Sequence, residues 1–283
     1  MNPMTLTRRF CCMTLLSVAI SGQALSSQAM AGMTLAPHRA FYVLEADKLD
    51  NKGGISAIAG TLAYEITGSE CEGYAVNYRI ANRYVQGEGN PQTMDIQLNS
   101  FESGDGLELD MKQKQYINAN LESETRVKAK KPKDGGLVTG EMEGKQTKSF
   151  TVDASAIFPT AFQKKLMQDA EKGETRSVSL VYEGSDDEKP SRAISFIGVK
   201  KQGSVVTSGA DAPTLDALNK LPYWPVTVSY YDAKATGDDQ PTYAASFNML
   251  ENGVSTDLVL DYGSYSLKGK LEKIEMLKVE PCQ

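Results

Sequence analysis

The chain has 283 residues with 30 basic and 36 acidic side chains, a formal net charge of −6. An acidic balance of this kind offers no basic footprint for phosphates, which excludes DNA and RNA as partners. The one histidine, His38, and the two cysteines beyond residues 1–31, Cys71 and Cys282, do not make a four-ligand metal shell.

The chain opens with the marks of a secretory signal peptide over residues 1–31. Arg8 and Arg9 form a positive n-region, Cys11 to Leu25 are apolar or small, and Ala29-Met30-Ala31 sets small residues where a signal peptidase cuts. Ser21, Gly22 and Gln23 interrupt the apolar run, leaving it too short and polar for a bilayer anchor. Arg8-Arg9 matches a twin-arginine signal poorly, and Cys11 and Cys12 precede the apolar region, where a lipid acceptor would follow it. Cleavage leaves residues 32–283 as one expected domain of net charge about −8, placed in the periplasm. No later segment is apolar enough to span a membrane.

From His38 onward the dominant period is two. Tyr74, Val76, Tyr78 and Ile80 alternate with polar or small residues, as do Met94, Ile96 and Leu98, and then Leu107, Leu109 and Met111. Such alternation puts one face of an antiparallel sheet on a core and the other in water. Lys52-Gly53-Gly54, Gly104-Asp105-Gly106, Gly135-Gly136 and Asn252-Gly253 supply turns. Residues 126–133 hold five positive charges and a proline, which reads as a charged hairpin tip guarding a sheet edge, or as a patch for an anionic surface. One main helix follows, capped by Asp153 or Ser155, with Pro159 near its start. Phe162, Leu166, Met167 and Ala170 form its apolar stripe up to Gly173, and Lys164, Lys165 and Asp169 its polar side. Val178, Leu180 and Tyr182 resume the strand pattern; a short helix is expected over Pro213 to Leu221, and Val226, Val228 and Tyr230 alternate again. The count is about fourteen strands in a mainly β chain, built as one continuous antiparallel architecture with a helix packed on it.

Catalytic constellations are hard to find. His38, the lone histidine, reads as a strand end satisfied by a hydrogen bond, and no Gly-x-Ser-x-Gly elbow accompanies it. The acids Asp186-Asp187-Glu188, Asp238-Asp239, Glu251, Asp257 and Asp261 fall in polar loops or strand ends, without a calcium-loop pattern. Two of them could form a glycosidase pair, so a carboxylate-based envelope hydrolase using Asp257 and Asp261 stands as a lesser alternative. No catalytic residue, metal ligand or cofactor is assigned. Cys71 and Cys282, the pair left after export, read most simply as a disulfide closing a loop of roughly 210 residues, worth on the order of 5 kcal/mol by chain entropy. Two free thiols are the alternative. Tyr223, Trp224, Tyr230 and Phe162 are expected in the core or lining a ligand cavity.

The residues Leu35-Ala-Pro-His-Arg-Ala-Phe-Tyr42, Ser69-Glu-Cys-Glu-Gly-Tyr74, Ile157-Phe-Pro-Thr160, Trp224-Pro-Val-Thr-Val-Ser-Tyr-Tyr-Asp232, Glu251-Asn-Gly-Val-Ser255, Leu260-Asp-Tyr-Gly263 and the final Cys282 come in an order that resembles the EipB family of periplasmic cell-envelope integrity proteins. The resemblance covers nearly all of residues 35–282, and it departs at Tyr74, where the family pattern has a tryptophan. It implies a β-spiral bent around a helix, distantly like the carriers of lipoproteins, a disulfide carried onto Cys71 and Cys282, and no enzymatic residues. The expectation is therefore a non-enzymatic protein of envelope integrity that holds a lipid, lipoprotein or peptide in an apolar cup. A scaffolding module that binds a periplasmic partner protein is the second reading.

Overall fold

The computed structural model describes residues 34–50, 54–184, 189–206, 208–234 and 239–279. The expected leader, Lys52-Gly53, the triplet Asp186 to Glu188, Asp238 and Cys282 lie outside them.

The described strands form one antiparallel sheet. In chain order they are β1 (His38–Leu49), β2 (Ile55–Ser69), β3 (Gly73–Gln86), β4 (Gln92–Glu102), β5 (Glu108–Ile117), β6 (Asn120–Lys130), β7 (Val138–Glu143) and β8 (Thr147–Val152). Helix α1 (Pro159–Glu171) follows, then β9 (Arg176–Val181) and β10 (Ser191–Ile197), helix α2 (Ala212–Asn219), and β11 (Tyr223–Asp232), β12 (Tyr243–Leu250), β13 (Ser255–Asp261) and β14 (Tyr265–Met276). Spatial order is β8 back to β1, then β14 back to β9. The chain thus starts in the middle of the sheet and meanders to one edge. Helix α1 carries it to the opposite edge, and a second meander returns it to pair β14 with β1. So many twisted strands cannot stay flat, and the sheet curls into an open spiral with an inner face to fill.

Three apolar clusters fill it. The β1–β3 and β13–β14 strands meet α2 around Leu44, Leu62, Leu218 and Leu267. The β9–β12 strands meet α1 around Phe162, Met167, Val226 and Trp224. The β5–β8 strands close over Phe158 and Tyr182. Helix α1 buries Phe162, Leu166, Met167 and Ala170, the expected stripe, together with Thr160.

Its cap is not the expected one. Phe158 holds the N-cap position without a side-chain bond. Asp153 instead accepts from the amide (2.8 Å) and hydroxyl (2.6 Å) of Ser155 in a turn of its own. The carboxylate of Glu102, at the end of β4, takes the amides of Thr160 and Ala161, each at 2.7 Å. A residue 58 positions away in sequence thus satisfies the orphan donors of the first turn. Short helix α2 is capped locally, Asp211 accepting from the Thr214 amide at 2.9 Å.

Strand β9 also differs from its sequence pattern. Val178 is exposed, while Ser177, Ser179 and Val181 are buried. As a terminal strand it meets protein on both faces: Ser177 bonds Lys165 and Asp169 of α1, and Leu180 and Tyr182 join the β5–β8 cluster. The basic residues 126–133 form a hairpin tip only in part: Lys131, Pro132 and Lys133 lie in the β6–β7 connection, while the residues before them belong to the strand. Arg126, Lys128 and Lys130 occupy the outward face of β6, where Arg126 pairs with Asp110 at 3.0 Å and Lys130 with Glu108 at 2.9 Å across to β5, and Lys131 donates to the Ala156 carbonyl.

Candidate functional site

Between α1 and the inner face of the sheet lies a cavity of about 330 Å³. Its position follows from where the sheet presents small residues. Ala40 stands opposite Tyr64 in the β1–β2 pair, and Tyr64 opposite Tyr78 in β2–β3. Across the cavity Ala245 faces Val228 in β11–β12, and Tyr230 pairs with Tyr243 two rows on. Of the two alanines only Ala245 lines the cavity, leaving room there that the tyrosines do not fill. Pro159, Phe162, Gln163 and Leu166 of α1 form the roof, with Phe247, Met249 and Leu258 on the wall.

Gly253 lets the roof approach. It sits at φ 86°, and a Cβ there would come within 2.6 Å of Leu35 Cδ2 and 3.5 Å of Met167 Sδ. Its carbonyl accepts from Gln163 Nε2 at 3.1 Å, tying the β12–β13 turn to the helix.

Phenols, one imidazole and one carboxyl are among the polar groups that face this apolar space. Tyr42 is already committed, its hydroxyl donating to the Ser255 carbonyl at 2.7 Å. His38 Nδ1 lies 2.8 Å from the Ala36 carbonyl, so that nitrogen carries the proton and Nε2 is left as an acceptor. Burial holds the ring below its ordinary pKa despite that bond, and Tyr64 packs against it at 5.5 Å. The phenols of Tyr64, Tyr78 and Tyr230 are pushed up by burial, Tyr78 to about 12. Glu183, just past β9, is the one carboxyl of the lining; burial alone pushes it up to about 7. No lysine or arginine lines the cavity.

Aromatic contacts continue outward from the roof. Phe162 meets Tyr230 edge-on at 6.4 Å, Tyr230 meets Tyr243 at 5.7 Å, Tyr243 meets Tyr262 at 5.0 Å, and Tyr262 stacks on Tyr265 at 4.9 Å.

The residues singled out in the sequence separate here. Phe162 and Tyr230 line the cavity. Trp224 is buried in the core beneath α1, its ring 4.8 Å from Lys200 Nζ, and Tyr223 packs beside the α2 cluster. Cys71 lies in the turn between β2 and β3, and Cys282 is outside the described residues. The two acids of the hydrolase alternative are held apart in local roles. Asp257 accepts from Asn248 at 2.8 Å from a bulged, left-handed position in β13, and Asp261 accepts from the Gly263 amide at 2.8 Å. Sequence reasoning missed Glu183, Tyr64, Tyr78 and the inward role of His38. The tyrosines carried a signal, since both fall on apolar-phase positions of long alternating strands; Glu183 carried none.

The fold and cavity define a class: a barrel-like antiparallel β protein with an apolar, ligand-sized interior. Within that class the chain belongs to the EipB-like family, whose pattern it matches over residues 29–278. It is 33% identical over 257 residues to the cell envelope integrity protein EipB of Brucella abortus (strain 2308), covering 90% of this chain and 89% of that protein. It is also similar, at a TM-score of 0.78 and 30% identity, to the crystal structure of a beta-barrel-like protein of domain of unknown function DUF1849 from Brucella abortus. That likeness covers 86% of this chain and 99% of the other.

Proposed function

We propose that this protein is exported to the periplasm and maintains the cell envelope without catalysis, by holding the apolar part of a lipid, lipoprotein or peptide in the cavity under α1. The observation that carries the reading is the cavity itself, about 330 Å³ and lined mostly by carbon and aromatic rings. Interiors are normally packed to crystal-like density, and a space of this size falls at the lower end of ligand sites. The envelope-integrity name of the Brucella relative supports the setting, and a carrier-like role suits the sequence resemblance. A disulfide between Cys71 and Cys282 belongs to the same proposal, pinning the chain end to the β2–β3 turn. Filling the cavity tests the function. Ala245→Phe should leave a folded protein, at an overpacking cost of about 1–3 kcal/mol, that fails to restore detergent resistance to cells lacking the chain. Full restoration by the folded variant would overturn the ligand role.

A partner-binding module is the second reading, and one observation favours it. Strand β8 ends the sheet on its side, so its outer backbone groups have no strand partner among the described residues. An extended peptide could add there.

A further inference from the structure

We propose that the cavity recognises a cationic ammonium group carried on an apolar chain, seated between the Glu183 carboxylate and the ring faces of Tyr230 and its neighbours. The inference rests on the apolar-cup reading and names the class of ligand.

Charge is the first argument. Glu183 is half-buried and lines the cavity, yet no hydrogen bond or ion pair reaches it from the described residues. Its electrostatic neighbours are phenols, Tyr230 and Tyr243, and His38 at the same lining is held neutral by burial. A buried carboxyl without a counter-charge is costly and is tolerated where a ligand completes it. The complement of a lone carboxylate is a cation. A fatty-acid carboxylate or a phosphate would meet like charge there instead.

Aromatic geometry is the second. Phe162 stands edge-on to Tyr230, and Tyr230 tilts against Tyr243 at 5.7 Å, with Tyr64 and Tyr78 opposite. Ring faces carry the negative side of the aromatic quadrupole and attract alkylated ammonium, and several aromatic side chains share this lining with the one carboxyl. The remaining lining, Leu62, Leu166, Val228 and Met249, suits the chain attached to that group. At about 330 Å³ the space holds a headgroup with a short chain.

Titration calorimetry on the mature protein, with octyltrimethylammonium, octanol and octanoate as probes, tests this. The ammonium should bind about tenfold or more tightly than octanol, and octanoate weakest, as expected for about 1–2 kcal/mol of desolvated cation–π and ionic attraction. Glu183→Gln and Tyr230→Leu should each remove the preference for the ammonium over octanol, while Tyr230→Phe, which keeps the ring, should retain it. Thermal melts of the three variants confirm folding. Binding of octanol or octanoate with no ammonium preference would overturn the inference and leave the cup intact. Binding of none of the three would overturn both.

Discussion

At the scale of single residues, three positions carry the site, and each does so by a different kind of physics. Gly253 supplies backbone freedom and clearance together, whereas Gly173, at φ 79° with open space around it, supplies only the former. Gly173→Ala should cost about 1 kcal/mol, the ordinary penalty of a left-handed Cβ. Gly253→Ala should cost clearly more, because Leu35 must also move; urea midpoints of the two variants make the comparison. Glu102 works through hydrogen bonds. Its loss in Glu102→Ala should destabilise by about 1–3 kcal/mol through orphaned amides at the start of α1, and Glu102→Gln by less. Glu183 works through solvation. Folded, it holds its proton up to about 7; unfolded, it releases it near 4.5. The folded state therefore binds more protons across that window and loses stability as pH rises through it. Glu183→Gln should raise the melting temperature at pH 7.5 and leave it unchanged at pH 4, and equal melting at both pH values would contradict the burial. None of these three roles was legible beforehand beyond the turn at Asn252-Gly253. A cap from another strand and a desolvated acid depend on the fold, not on neighbours in sequence.

At the scale of elements, periodicity was informative where one face of a strand met water. Strands β3 to β5 fall where alternation places them, and α1 buries the stripe that its 3.6-residue spacing defines. At β9 the alternation holds with its phase reversed: Ser177, Ser179 and Val181 turn inward while Arg176 and Val178 face water. Ser177 is accommodated inside because α1 offers it Lys165 and Asp169. Ser177→Val should therefore cost stability, about 1 kcal/mol or more, despite better strand propensity, since it leaves the Asp169 carboxylate short of a donor. A gain in the unfolding midpoint would show that the hydroxyl is expendable. The basic run of residues 126–133 divides between strand and turn: strict alternation of Arg126, Lys128 and Lys130 with Val127 and Ala129 marks a strand's outer face, and only Lys131 to Lys133 fall in the hairpin connection.

At the scale of the molecule, the sheet begins in its middle and ends beside its beginning. Pairing of β14 with β1 joins the two meanders into one sheet. The Cys71–Cys282 disulfide proposed here would reinforce that join. The oxidised mature chain should weigh about two mass units less than the reduced one, and reductant should lower its melting temperature, by chain entropy as much as about 5 kcal/mol of stability. The mainly β class and the strand number of about fourteen were legible from alternation and turns, and the cup was an inference from class. What the cup contains was not legible, because the Ala245 gap and the convergence of Tyr64, Tyr78, Tyr230 and Glu183 arise only when distant strands become neighbours.

The ligand-holding role turns on whether that interior is occupied. Native mass spectrometry of the mature protein, released from the periplasm under oxidising conditions and followed by solvent extraction, asks this directly. An added mass that leaves on denaturation and yields an apolar molecule bearing an amine is the predicted result. A bare polypeptide mass, with nothing apolar in the extract, would contradict the ligand-holding cup and move the role to the protein's outer surface.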